Sequence, residues 1–204
     1  MSANARLVVL ISGFGSNLQA VLDAAKSGHL SADVVAVVSN KADAYGLERA
    51  RLANISAIVH PLRKDQTRNE YDRQLAAIVS AYKPDWVILA GWMRILTNSF
   101  LENFPGQVIN IHPALPGTFP GTHAIERAFE AFQSGQIDHT GVMVHLVPDE
   151  NIDSGPVLNQ QEVKIFPDDT LENLEERIHG VEHQLLVDTL AQVIRKLEKD
   201  KNHA

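Results

Sequence analysis

The chain has 204 residues, 45% of them hydrophobic and 21% charged, with no cysteine and a formal net charge of −7. Such a composition excludes a disordered or collagen-like chain, and the missing thiols exclude a disulfide framework or thiolate metal site. The acidic balance argues against nucleic-acid partners, which need clustered Lys and Arg. No apolar run approaches the ~18 residues of a membrane helix, so a soluble, cytoplasmic protein is expected.

Leu7 to Ile11 is a short, branched apolar run that ends at Ser12-Gly13 and is followed by the helix-compatible Asn17 to Leu22. That is strand, glycine-rich turn and helix. Val34 to Val38 predicts a second strand and Ala42 to Leu52 a second helix. A weaker strand is expected over Ile55 to Val59. Tyr71, Leu75, Ile78 and Val79 recur at helical spacing within Asn69 to Tyr82, and Pro84 stops that helix. Trp86 to Ala90 and Val108 to Ile111 read as buried strands. Gly141 to Val147 and Pro156 to Ile165 follow each other with only a loop between, which favours antiparallel edge pairing. Leu171 to Leu197 carries a helical apolar pattern. Alternating strands and helices predict one doubly wound, Rossmann-like α/β domain over residues 1–204, its sheet mostly parallel with antiparallel C-terminal edge strands. Residues of about 1–110 are assigned to a phosphate-binding half and about 111–204 to completion of the cleft.

The turn Gly13-Phe14-Gly15-Ser16-Asn17 sits where a helix N-terminus exposes backbone N–H groups, a natural anion site. Leu18 stands where the dinucleotide fingerprint has its third glycine, and no acidic residue ends the second strand, so one phosphate fits better than a dinucleotide. The alternative is a plain tight turn in which Ser16 caps the helix.

Asn110 and His112 lie two apart at the end of a buried strand, so both side chains face the same side of the sheet. Ligands of open α/β sheets bind beyond the carboxyl ends of strands, where this pair sits. An amide N–H and an imidazolium can both donate to the oxyanion formed when a nucleophile attacks a carbonyl. A proton-donating histidine works best beside a carboxylate. Asp153, Asp149 and Glu150 compete for that place, with Asp153 preferred because the other two read as more solvated. The alternative is that His112 bonds backbone in a turn and Asp153 caps a loop.

The segments Gly13 to Gln19, Ser39 to Ala44, Ala90 to Leu96, Asn110-Ile111-His112-Pro113 and Asp153-Ser154-Gly155-Pro156, taken in this order, span nearly the whole chain. Together they closely resemble the phosphoribosylglycinamide formyltransferases of the folate-dependent formyltransferase family. The Asn-Ile-His-Pro and Asp-x-Gly-Pro segments are shared across that family, whereas the early Gly-Ser-Asn loop points to its glycinamide ribonucleotide branch. The resemblance implies formyl transfer from 10-formyltetrahydrofolate to glycinamide ribonucleotide in purine biosynthesis, without a metal, by a monomer or homodimer. It also implies roles. Gly15, Ser16 and Asn17 would hold the substrate phosphate, and Glu182 would contact the ribonucleotide. His112 would be the catalytic acid, Asn110 would orient the formyl oxygen, and Asp153 would raise the His112 pKa. Arg68, Met93, Arg94, Ile95 and Leu96 would contact the folate, with backbone meeting the pterin and apolar side chains lining its slot.

Two departures stand out: Pro-Ala-Leu-Pro follows His112 where the family often has Ser-Leu-Leu-Pro, and the segment Val147 to Asp153 is one residue longer than expected. Rival functions fit less well. A methionyl-tRNA formyltransferase would carry a further C-terminal domain, a formyltetrahydrofolate hydrolase a further N-terminal one, and a noncatalytic nucleotide-binding module would leave Asn110, His112 and Asp153 unexplained. His179 and His183 have metal-compatible spacing but no evident third ligand. His123 borders the site by resemblance, and His139 and His145 are assigned ordinary hydrogen bonding.

Overall fold

The computed structural model describes residues 4–202, so the ends of the predicted 1–204 span lie outside the described residues. The elements follow in the order β1 (Ala5–Ile11), α1 (Ser16–Lys26), β2 (Ala32–Ser39), α2 (Gly46–Leu52), β3 (Ser56–Val59), α3 (Arg68–Ser80), β4 (Trp86–Leu89), α4 (Asn98–Leu101), β5 (Val108–His112), α5 (Ala124–Gln133), β6 (His139–Leu146), β7 (Val157–Lys164) and α6 (Leu171–Asn202). The strands form a seven-stranded sheet in the order β3-β2-β1-β4-β5-β6-β7. β1 to β5 pair in parallel, and β6 and β7 join antiparallel at one edge. The expected mixed, doubly wound sheet is the observed one.

Both faces of β1 are buried, which explains its unbroken apolar run. Leu7, Val9 and Ile11 pack with α1 and α6 residues such as Leu18, Val21, Ile178 and Leu186. Val8 and Leu10 face the other layer with Tyr71, Leu75 and Phe100. α3 starts where Thr67 and Glu70 form a reciprocal capping box, satisfying N–H groups that the first turn would otherwise leave open.

The helices differ from the sequence reading in three places, two of them with a local cause. α2 begins at Gly46 rather than Ala42, because the Gly46 N–H donates to the Gly13 carbonyl oxygen at 3.1 Å and ties the helix start to the turn after β1. A Cβ on Gly46 would lie 2.4 Å from Ile11 Cδ1, so a larger residue would have to displace that buried side chain. The sequence reading assigned no helix to α4 or α5. The latter starts at His123 in the left-handed region (φ 57°) without a side-chain cap, so the usual start signal is missing.

Topology places the site. The chain leaves β1 toward β2 on one side and later returns to β4 on the other, making the β1/β4 boundary a switch point with a crevice at the strand ends. Ser12 N–H donates to the Gly91 oxygen at 3.0 Å and Met93 N–H to Ser12 Oγ at 2.8 Å, binding the loops after β1 and β4 together.

Gly141 lies within β6 beneath Leu115, and a Cβ there would meet Leu115 Cδ2 at 2.4 Å and the β7 backbone oxygen of Gln161 at 2.5 Å. Gly141→Ala should therefore destabilise the fold by about 2 kcal/mol, lowering the melting temperature by roughly 4–8 °C. Calorimetry of the variant showing an unchanged melting temperature would mean that β6 and the loop after β5 are not packed this tightly.

Candidate active site

The antiparallel register of β5 and β6 sets Asn110 opposite His145 and His112 opposite Met143. Directly opposed residues share a face, so Asn110, His112 and His145 all point to one side of the sheet. The loop after β6 then returns Asp153 to the same place. Its backbone bends through the left-handed region at Asp153 (φ 48°), and Gly155 passes so close to Leu146 that a Cβ would lie 1.8 Å from the Leu146 oxygen. The longer 147–153 segment thus still delivers its carboxylate.

Asp153 Oδ1 accepts from Asn110 Nδ2 at 3.1 Å, and Oδ2 accepts from the Gly121 N–H at 2.8 Å. His112 Nδ1 lies 3.4 Å from Oδ2, and His145 Nε2 lies 3.6 Å from Oδ1. Asp149 and Glu150 are exposed, and Glu150 instead accepts from the Asn98 N–H at 3.1 Å. Of the three competing carboxylates, Asp153 is the one beside His112.

His145 Nδ1 lies 2.8 Å from the Leu146 carbonyl oxygen and its Nε2 lies 3.1 Å from Asn110 Nδ2. Asn110 Nδ2 thus faces both His145 and Asp153. His112 Nε2 lies 3.0 Å from the Phe119 carbonyl oxygen, so His112 contacts backbone as well as Asp153.

Burial of His112 pushes its pKa below the ordinary histidine value, and the nearby His145 and Arg127 push the same way. The Asp153 charge and the Phe119 carbonyl push it up but do not win. Asp153 thus raises the His112 pKa as expected, but burial outweighs it and the net shift is downward. Burial also raises the Asp153 carboxyl, but contact with His145, the Gly121 N–H and the fields of both histidines outweigh it and hold Asp153 below the usual carboxylate range.

At the turn after β1, Gly15 is the N-cap of α1 in the left-handed region (φ 75°), no side chain caps the helix, and Ser16 is the first helical residue. The alternative in which Ser16 caps α1 is not what occurs. Asn17 is 8% exposed, and its Oδ1 meets no hydrogen-bond partner. Its side chain bonds Glu182, which reaches in from α6, is 6% exposed and has its pKa raised by burial to about 7. A buried acid thus abuts an open helix N-terminus.

The loop after β4 is held by Arg68, whose Nη2 donates to the Ile95 carbonyl at 3.2 Å and lies 3.9 Å from Glu150. Met93 and Ile95 are exposed and can offer an apolar surface. Arg94 instead places its guanidinium 4.8 Å over the Tyr71 ring, and Leu96 is 3% exposed within the second core. Leu96 thus packs into the core, and Met93 and Ile95 are the exposed apolar side chains of this loop.

Sequence reasoning missed His145, the Gly121 N–H and the Phe119 carbonyl. The signal for His145 lay in its strand, but only the β5–β6 register sets it opposite Asn110. His123 is exposed at the start of α5, with Nδ1 2.8 Å from Glu126 Oε1. His179 and His183 border a depression on α6 with Glu172, Glu175 and Glu176; His179 Nε2 lies 3.9 Å from Glu182 Oε2. Among the described residues no three side chains group as metal ligands, and no helix is long and apolar enough to cross a membrane.

Comparison with known proteins gives a match to the formyl transferase family over residues 5–190. A phosphoribosylglycinamide formyltransferase of Dictyostelium discoideum is 47% identical over 197 residues, covering 90% of this chain and 95% of that protein. The trifunctional purine biosynthetic protein adenosine-3 of Drosophila melanogaster is 40% identical over 191 residues, covering 93% of this chain and 14% of that one. The crystal structure of glycinamide ribonucleotide transformylase 1 from Symbiobacterium toebii superposes with a TM-score of 0.90 at 37% identity, covering 96% of this chain and 90% of that one.

Two consequences follow from the titrating groups. Asp153→Asn removes the largest influence raising the His112 pKa, so that pKa, read by NMR titration, should fall further below the ordinary value; a rise would contradict the balance described. For Glu182 the folded pKa of about 7 exceeds its ordinary 4.5, so the folded state holds the proton more tightly. Its contribution to stability is then full below about pH 4.5 and lost as pH rises through 7. Between those limits the wild type should lose on the order of 3 kcal/mol relative to Glu182→Gln. Denaturation midpoints that keep a constant spacing at both pH values would refute this.

Proposed function

Because the chain belongs to the formyl transferase family, we propose that it transfers the formyl group of 10-formyltetrahydrofolate to the amino group of glycinamide ribonucleotide. The products are N-formylglycinamide ribonucleotide and tetrahydrofolate, and the reaction is a step of purine biosynthesis in the cytoplasm, carried out by a monomer or homodimer. The observation that carries this reading is the convergence of Asn110, His112 and Asp153 at the end of β5, on the same edge of the sheet as the open N-terminus of α1.

Gly15, Ser16 and Asn17 bind the ribonucleotide phosphate through backbone N–H groups, and Glu182, beside Asn17, meets the ribonucleotide from α6. Arg68 and the 93–96 loop hold the folate, with Met93 and Ile95 supplying apolar surface and Arg94 and Leu96 supplying backbone. The neutral substrate amine attacks the formyl carbon, forming the C–N bond and an oxyanion. Asn110 and His112 stabilise that oxyanion, each exchanging an internal partner for it: the Phe119 carbonyl at His112, and His145 or Asp153 at Asn110. Collapse breaks the bond from the formyl carbon to the folate nitrogen, which takes up a proton as the attacking nitrogen releases one. The anionic Asp153 keeps imidazolium accessible and accepts or relays that proton. No step forms a bond between protein and formyl group.

Assays with the formyl-folate and two acceptors in parallel test the assignment: glycinamide ribonucleotide should be formylated and methionyl-tRNA should not. His112→Ala and Asp153→Asn should each lower kcat by about 10²–10⁴-fold while KM for the ribonucleotide stays within about threefold, because they act on the transition state. Wild-type turnover in both variants would remove the proposed centre, and methionyl-tRNA formylation would replace the acceptor.

A further inference from the structure

The guanidinium of Arg49 on α2 lies under the turn after β1. Its Nε donates to the Phe14 carbonyl oxygen at 3.0 Å and Nη1 to Gln19 Oε1 on α1 at 3.0 Å. The charge sits 4.5 Å from the centre of the Phe14 ring and 4.9 Å from that of Tyr45, and those two rings stack at 5.3 Å. Among the described residues no carboxylate forms a salt bridge with it, although the chain carries a net charge of −7. Nothing in the reaction described above uses this side chain.

Peptide planarity gives the contact a consequence. In a trans peptide the C=O and N–H point in opposite directions, so holding the carbonyl on one side aims the N–H at the other. The Gly13 carbonyl is held by the Gly46 N–H at 3.1 Å, and the Phe14 carbonyl by Arg49. The N–H groups of Phe14 and Gly15, which belong to those same two peptides, are thereby turned away from α2. Successive N–H groups aimed to one side make an anion-binding concavity.

We propose that Arg49 is a positioning residue for the phosphate of the acceptor substrate: its forked hydrogen bonds fix the turn so that the N–H groups of Phe14 and Gly15 face the anion. The assignment rests on reading Gly13 to Asn17 as the phosphate site. The fork matters more than the charge, because an ammonium group cannot reach Phe14 and Gln19 while lying flat against two rings.

Kinetics and amide NMR on the full chain test it. Arg49→Met should raise KM for glycinamide ribonucleotide about tenfold or more, leaving kcat and the KM for the formyl-folate within about twofold. Arg49→Lys, which keeps the charge, should raise the same KM at least about fivefold. In the wild type, inorganic phosphate should shift the amide resonances of Phe14 and Gly15, and the shifts should shrink in Arg49→Met. Should Arg49→Met fail to fold, judged by its amide spectrum, Arg49→Lys decides alone. Full rescue by lysine, or an unchanged ribonucleotide KM in a folded variant, would overturn the role of Arg49. Wild-type amides that neither phosphate nor ribonucleotide moves would instead overturn the phosphate site itself.

Discussion

The Asp153 carboxylate is where the site is held together. A buried carboxylate is costly unless its oxygens are paired, and here Asn110, Gly121, His112 and His145 surround it. The four partners come from three stretches of chain: β5 gives Asn110 and His112, the following loop gives Gly121, and β6 gives His145. One side chain thus fastens two loops to two strands. The backbone allows this through a left-handed residue at Asp153 and a glycine at 155 pressed against Leu146, a strained passage that the surrounding bonds hold in place.

Burial acts on His112, Asp153 and Glu182 alike, yet the outcomes differ because the partners differ. His112 is lowered, since losing water costs its cation more than Asp153 returns. Asp153 is lowered as well, because its donors and two facing rings outweigh the same loss. Glu182 has Asn17 beside it and is raised to about 7. Around β5 the polar groups are already engaged: His112 Nε2 faces the Phe119 carbonyl, and Asn110 Nδ2 faces His145 and Asp153.

The sheet order brings the candidate site residues together. With β1, β4 and β5 as successive neighbours, the glycine turn, the 91–96 loop and His112 open at the carboxyl ends of parallel strands, and the loop after antiparallel β6 brings Asp153 back to His112. Ser12 stitches the first two of these together, and Arg68 braces the second through Ile95. α2, which takes no part in the catalytic cluster, reaches the glycine turn from behind through Gly46 and Arg49. The glycine turn is therefore supported on its far side by an element outside the Asp153 cluster.

The sequence by itself determined the elements whose signals are local. Two-sided burial demands continuous apolar runs, so β1, β2, β4 and β5 were legible, as were α3 and α6 from their apolar spacing. The two-residue spacing of Asn110 and His112 determined their common face, because strand side chains alternate. Tertiary structure alone decided the rest, since it depends on contacts between residues far apart in the chain. The β5–β6 register chose His145 as the neighbour of Asn110, and packing chose Leu96 for the core. A helix start without a capping residue concealed α5, and the approach of Gly46 to the Gly13–Gly15 turn shortened α2. The sign of the His112 shift belongs to the same class. A carboxylate neighbour could be guessed from residue types, but how much water the fold removes is set by every element packed around the ring.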